Sequence, residues 1–152
     1  MELIVLIGVQ GSGKTTLYHD RFVDTHLRVS LDMLRTRARE EAFVALCLQT
    51  RQPFVVDNTN PTPAERARYV EPARSAGFRT AAYLVEVDAA VALARNAERR
   101  EEERVTVPRL IGTARRTVPP APEEGFDELW HASAAAGSGW RIEPLLTTPP
   151  LF

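Results

Sequence analysis

The sequence predicts an α/β fold, a parallel sheet flanked by helices, and three observations carry that expectation. Short apolar, β-branched runs alternate with stretches of helical periodicity. A glycine-rich turn stands between the first such run and the first helix. The 152 residues are 44% hydrophobic and 26% charged, enough for one domain that buries roughly two-thirds of its unfolded surface.

Glu2 to Ile7 reads as a buried strand, followed by a glycine loop and a helix over Lys14 to Val23. Leu27 to Val29 is a second strand, ending at Ser30, an N-cap for a helix with Leu34, Ala38, Ala42, Ala45 and Leu46 on one side. Pro53 to Asp57 is a third strand. Thr62-Pro63-Ala64-Glu65 has the spacing of a capping box with proline at the first helical position; Pro72 should kink this helix and Gly77 stop it. Thr80 to Val87 is a fourth strand, Asp88 caps a long charged helix to about Arg104, and Val107-Pro108 starts another. Pro119 to Pro122 is a rigid connector, and Ala132 to Gly139 a flexible loop before a last strand near Trp140 to Ile142. The chain is read as a single domain over 1–152, with a lid region at about 95–118.

No apolar run approaches the ~20 residues that span a bilayer, and no basic leader precedes the first strand, so the expectation is a cytoplasmic protein without membrane contact. The net charge of −1 and pI of about 6.3 argue against coating long duplexes. Cys47 reads as a small buried hydrophobe, and His19, His26 and His131 have no metal-ligand spacing. Of the 19 basic residues only Lys14 is lysine. Lysine stands at the one place where a compact, flexible ammonium must reach between phosphates.

That place is the pattern G-x-x-x-x-G-K-S/T, matched by Gly8, Gly13, Lys14 and Thr15. After a strand and before a helix, backbone N–H groups and the helix dipole converge on a phosphate. Gly8, Gln10, Gly11, Ser12, Gly13, Lys14, Thr15 and Thr16 are therefore the candidate nucleotide-phosphate site, with Lys14 at the β/γ-phosphates and the Thr15 hydroxyl on Mg²⁺. The lack of a second lysine for base recognition argues against a GTPase switch. Asn58 after Asp57, where motor ATPases place glutamate, argues against water as acceptor. A hydroxyl acceptor then needs a base away from the loop.

Asp32 is the best candidate, in a first helical turn that favours a carboxylate, with Arg35 one turn on. The bland alternative is a surface Asp32–Arg35 pair. Arg95 and Arg99, at i and i+4, could close over the γ-phosphate. Their alternative is pairing of Arg99 and Arg100 with Glu103 on a solvated face.

These residues resemble the kinase domain of 5′-hydroxyl polynucleotide kinases of the phage and polynucleotide kinase-phosphatase types. The similarity runs through Gly8 to Thr16, Val29 to Arg35, Val55 to Pro61 and Arg66 to Tyr69, then Ala94-Arg95-Asn96 with Arg99, Val107-Pro108, and Glu124 to Phe126. The resemblance implies a P-loop NTPase, adenylate-kinase-like sheet with a helical lid, using ATP and Mg²⁺. It implies Lys14, Asp32 and Arg99 as the catalytic set, with Asp32 the general base and Arg99 the lid arginine that stabilises the transferring phosphoryl group. Arg35 would grip a neighbouring phosphate of the acceptor, and Asp57 or Asn58 would belong to the acceptor and metal surroundings, Asp57 reaching the metal through water. Leu31 stands where an arginine often precedes the aspartate. The acceptor would be the 5′-OH end of DNA or RNA, and the kinase would stand alone or beside separate phosphatase or ligase repair enzymes. The runner-up is a kinase for a small-molecule hydroxyl on a nucleoside, sugar or antibiotic. A non-catalytic nucleotide-binding module is the third reading.

Overall fold

The computed structural model describes residues 1–145. The strands are β1 (Glu2–Ile7), β2 (Leu27–Val29), β3 (Phe54–Asp57), β4 (Arg79–Val85), β5 (Glu128–Ala134) and β6 (Trp140–Pro144). They form one sheet in the order β2-β3-β1-β4-β5-β6, parallel except for β6, which runs antiparallel to β5. The helices are α1 (Lys14–Arg21), α2 (Leu31–Leu34), α3 (Arg37–Thr50), α4 (Pro63–Ser75), α5 (Ala89–Glu98) and α6 (Val107–Arg116).

The continuous apolar run of β1 follows from burial on both faces. Leu3, Val5 and Ile7 join Val44, Cys47, Tyr69, Val70 and Ala73 beneath α3 and α4. Ile4 and Leu6 join Leu17, Tyr18 and Phe22 beneath α1. A third, smaller cluster packs Val9 of the glycine loop against Ala92, Leu110 and Ala114, so α5 and α6 rest on the loop they overhang.

Local signals set most boundaries. Ser30, Thr62 and Asp88 cap their helices through side-chain oxygens, the capping box of Thr62 and Glu65 is complete, and Gly77 follows the end of α4 at φ 77. Helix α4 continues through Pro72 to Ser75 as a single element.

Four expectations need correction. The helix after Ser30 is two: one turn ends where Arg35 adopts φ 73, and Thr36 caps α3 anew. The buried face of α3 is then Glu40, Val44 and Cys47, whereas Ala38, Ala42, Ala45 and Leu46 are exposed. The charged helix from Asp88 stops at Glu98 and is followed by a 3₁₀ turn at Glu101–Glu103, so Arg99 is a C-cap. Finally, Ala132 lies within β5 and the loop shrinks to 135–139. The mixed Glu-Leu-Trp-His-Ala-Ser-Ala segment becomes a strand through pairing with β4 and β6 and the stacking of Trp130 on Tyr83, ring centroids 6.4 Å apart.

Candidate active site

Every motif residue lies at the carboxyl edge of the parallel strands, where ligands of open α/β sheets bind. The loop from β1 turns into α1 through Gly13 at φ 99, a conformation costly for any side chain. At Gly8 the constraint is space, since a Cβ there would stand 2.7 Å from Ser12 Oγ and 2.8 Å from the Val85 carbonyl. Helices α2 to α6 each carry a side-chain cap, but α1 has none, and its first-turn N–H groups face the site.

Lys14 is buried and donates from Nζ to the carbonyls of Gly8 and Val9, both at 2.9 Å. Burial lowers its pKa to about 8; the Arg99 guanidinium acts in the same direction, while the Asp57 and Asp32 carboxylates oppose. Elements scattered over the chain converge here, Asp57 through its hydrogen bond with Thr15 and Arg99 through the cavity it shares with Lys14, while Asp32 stands outside that cavity's lining. Gly11, Gly13, Lys14, Thr15, Thr16, Arg95 and Arg99 line a cavity of about 280 Å³. Arg95 also donates to the Gly11 carbonyl at 3.1 Å, tying α5 to the loop. Ser12 is buried, and Gln10 keeps its Oε1 buried without a hydrogen-bond partner among the described residues.

Glu103 pairs with Arg100 at 2.6 Å, and Arg99 forms no ion pair among the described residues. Of the two pairs in the solvated-face alternative, Arg100–Glu103 therefore forms and Arg99–Glu103 does not. Asn96 holds the arginine in place by an exchange of hydrogen bonds with Val105, donating to its carbonyl at 2.7 Å and accepting from its N–H at 3.0 Å. The asparagine in the Arg-Asn-x-x-Arg pattern is thus the staple of the lid loop.

Asp32 is exposed, and its carboxylate has no hydrogen bond or ion pair among the described residues. The Asp32–Arg35 surface pair does not form. With α2 a single turn, its dipole is small, and the φ of Arg35 turns that side chain off the shared helical face the spacing suggested.

Strand parity separates Asp57 from Asn58. Asp57 projects to the α1 side, buried, and its Oδ2 accepts from Thr15 Oγ1 at 2.9 Å. Asn58 projects the other way: its Oδ1 accepts from the Leu31 N–H at 3.0 Å and its Nδ2 donates to Glu40 at 2.8 Å. Glu40 also accepts from the hydroxyl of Tyr69 and from Arg37. Asn58 is therefore a strut that fixes the start of α2, and hence Asp32, rather than a group turned toward a ligand. Thr15 and Asp57 are hard oxygen donors of the kind that suits Mg²⁺, which keeps several waters and shares its remaining sites with phosphates. Among the described residues no cluster of three or more His, Cys, Asp or Glu could hold a metal.

Two arginines bracing the site were given no role by the sequence reading, Arg66 only as part of the resemblance and Arg28 not at all. Arg66, fully buried, forms a bidentate pair with Glu124 at 2.7 and 2.9 Å and donates to the carbonyls of Asn60 and Val118. It locks the segment after β3 to the connector after α6. Arg28 on β2 donates from Nε to Asp57 Oδ2 at 2.8 Å and from Nη2 to Thr15 Oγ1 at 3.2 Å. Its only sequence signal was position: in a parallel sheet, the residue before the last of β2 faces the same side as Asp57.

A parallel sheet in this order, with a glycine loop feeding an uncapped helix and a helical overhang, defines a P-loop kinase fold, the fold of a phosphotransferase. The chain belongs to the AAA domain family, whose profile matches residues 34–111, just over half its length and beginning beyond the phosphate loop. A bifunctional polynucleotide phosphatase/kinase of Schizosaccharomyces pombe is 34% identical over 71 residues, 46% of this chain and 17% of that protein. A protein of Acanthamoeba polyphaga mimivirus, named as a candidate bifunctional polynucleotide phosphatase/kinase, is 27% identical over 135 residues, 84% of this chain and 32% of that one. The chain thus spans no more than a third of either relative. Among solved structures, Chaetomium thermophilum Kti12 in complex with ADP-AlF3 superposes with a TM-score of 0.66 at 19% identity, covering 86% of this chain and 88% of that one. At that identity the likeness is one of fold. No helix among the described residues is long and apolar enough to cross a membrane.

Proposed function

We propose that this chain transfers the γ-phosphoryl group of ATP, with Mg²⁺, to the 5′-OH end of DNA or RNA. The observation that carries the reading is the cavity at the end of β1 in which Lys14 and Thr15 meet Arg99 of the lid, with the carboxylate of Asp32, exposed and unpaired among the described residues, just past the end of β2. The names of the two curated relatives support the polynucleotide acceptor.

In this reading the first-turn N–H groups of α1 and the Lys14 ammonium hold the β- and γ-phosphates. Thr15 and Asp57 would hold the metal, which would neutralise charge on the phosphoryl oxygens. Asp32 orients the acceptor hydroxyl and takes its proton as the new O–P bond forms; the γ-phosphorus leaves the β-bridging oxygen, and ADP departs. Arg99 meets charge on the transferring group, and Arg35 offers a guanidinium to an adjacent acceptor phosphate.

The deciding experiment follows radiolabelled γ-phosphate to 5′-OH DNA and RNA oligonucleotides and to a panel of nucleosides, sugars and antibiotics. Label is expected on oligonucleotide 5′ ends. Label confined to the panel would replace the reading with a small-molecule kinase, and none on any acceptor would leave a binding module.

Arg99→Ala is expected to lower turnover roughly 10- to 100-fold while changing ATP affinity only a few-fold, since a lid guanidinium acts mainly on transition-state charge. Equal, small changes in both constants would return Arg99 to the solvated surface.

Lys14 also sets a pH dependence. Its folded pKa of about 8 lies below its unfolded value of 10.5, so the folded chain binds fewer protons between them, and stability rises with pH across that window. Polyphosphate favours the charged ammonium. Nucleotide binding at pH 9 should therefore take up a proton, and affinity should fall as pH rises through about 8. Calorimetry in two buffers of different ionisation enthalpy reads the proton directly. A pH-independent affinity up to pH 10 would contradict it.

A further inference from the structure

Arg28 stands where the metal reading needs an open corner. The Thr15 hydroxyl gives its one proton to Asp57 Oδ2, and the same Oγ1 accepts from Arg28 Nη2 at 3.2 Å. The same Asp57 oxygen accepts from Arg28 Nε at 2.8 Å. A guanidinium has no lone pair to share and does not deprotonate, so it cannot join the coordination of a divalent cation; it can only compete for the same two oxygens and repel the newcomer.

The rest of the anchorage is slight. The third nitrogen, Nη1, reaches the thioether of Met33 at 3.2 Å, a weak acceptor on an exposed side chain. Strand β2 is the edge of the sheet, and the Arg28 side chain is 19% exposed, which leaves solvent for it to swing into. Asp57, by contrast, is almost wholly buried, its side chain 2% exposed, and a buried carboxylate needs a cation beside it.

We propose that Arg28 is a resident cation closing the Thr15–Asp57 corner, so that a divalent metal ion enters only with nucleotide phosphates and in exchange for the guanidinium. Two protein oxygens held by a competing cation are too few to draw the ion from water. Phosphate oxygens supply the missing ligands and charge. This rests on Thr15 and Asp57 as the metal corner, but not on which acceptor is phosphorylated.

The test measures Mn²⁺ binding by electron paramagnetic resonance, first with protein alone and then with a non-hydrolysable ATP analogue, with no acceptor present. The parent is expected to bind Mn²⁺ alone weakly and the Mn²⁺–analogue complex well. Arg28→Ala should bind Mn²⁺ alone at least ~10-fold more tightly, because Asp57 is then left without its partner. Arg28→Gln, which keeps an amide donor near the position of Nε but removes the charge and the Nη groups, should do the same, and guards against loss of fold in the alanine variant. Adding Asp57→Asn to either should abolish the gain. If Arg28 merely held Asp57 in place, both variants would bind Mn²⁺ no better than the parent, or worse, and the proposal would be overturned. It would equally be overturned by a parent that binds Mn²⁺ alone as tightly as with the analogue. Failure of phosphate transfer to oligonucleotides would leave these outcomes unchanged, so the two readings fail separately.

Discussion

Lys14→Ala is expected to lower phosphoryl transfer by at least ~10²-fold in a protein that still folds, the scale seen when one preorganised donor to developing charge is removed. The ammonium is the single lysine of the chain and donates to the loop carbonyls of Gly8 and Val9, a position from which it needs only to turn outward to meet phosphate. Removing it costs those hydrogen bonds but also relieves the burial that lowers its pKa to about 8, so the melting temperature should move by only a few degrees. The measurement pairs steady-state turnover with a thermal melt. A folded variant with near-parental turnover would show that the loop is not the phosphate site.

Asp32→Asn is expected to cut transfer to a 5′-OH oligonucleotide by ~10²- to 10⁴-fold, the range of general acid–base contributions, with Mg·ATP affinity changed by no more than about threefold. The amide keeps the shape of the carboxylate but cannot take a proton. Because the Asp32 carboxylate has no protein partner among the described residues, the substitution removes no internal contact, and a loss of activity would not be a loss of fold. Its neighbourhood is stiff for so short a helix. Ser30 Oγ accepts from the Asp32 N–H at 3.2 Å, and Asn58 accepts from the Leu31 N–H at 3.0 Å. Transfer at the parental rate in Asp32→Asn would remove the base from this reading and turn attention to the small-molecule alternative.

Much of this was legible because the signals are local. The glycine loop, the single lysine, the β1 run and the caps at Ser30, Thr62 and Asp88 each lie within a few residues, and each constrains its own backbone. From them came the parallel sheet, the strand-end location of every motif and the candidacy of Asp32. The helix after Ser30 was misjudged because periodicity counts only alanines and leucines. Tertiary contacts buried Glu40 instead, with Asn58, Tyr69 and Arg37 satisfying its carboxylate, and Arg35 at φ 73 reset the helix axis so that this face turned inward.

What the sequence by itself determined is the phosphate loop, the class of fold and the rim on which a base can stand, since these follow from spacing along the chain. Only the tertiary structure decided that Asp57 faces Thr15 while Asn58 braces α2, that Glu103 takes Arg100 and leaves Arg99 to the cavity, that Glu128–Ala134 is a strand, and that Arg28 reaches both Thr15 and Asp57. Each of these depends on the register or parity between segments far apart in sequence. A one-residue shift in a strand exchanges its two faces, and the side chains that meet across a sheet are chosen by packing rather than by their neighbours along the chain.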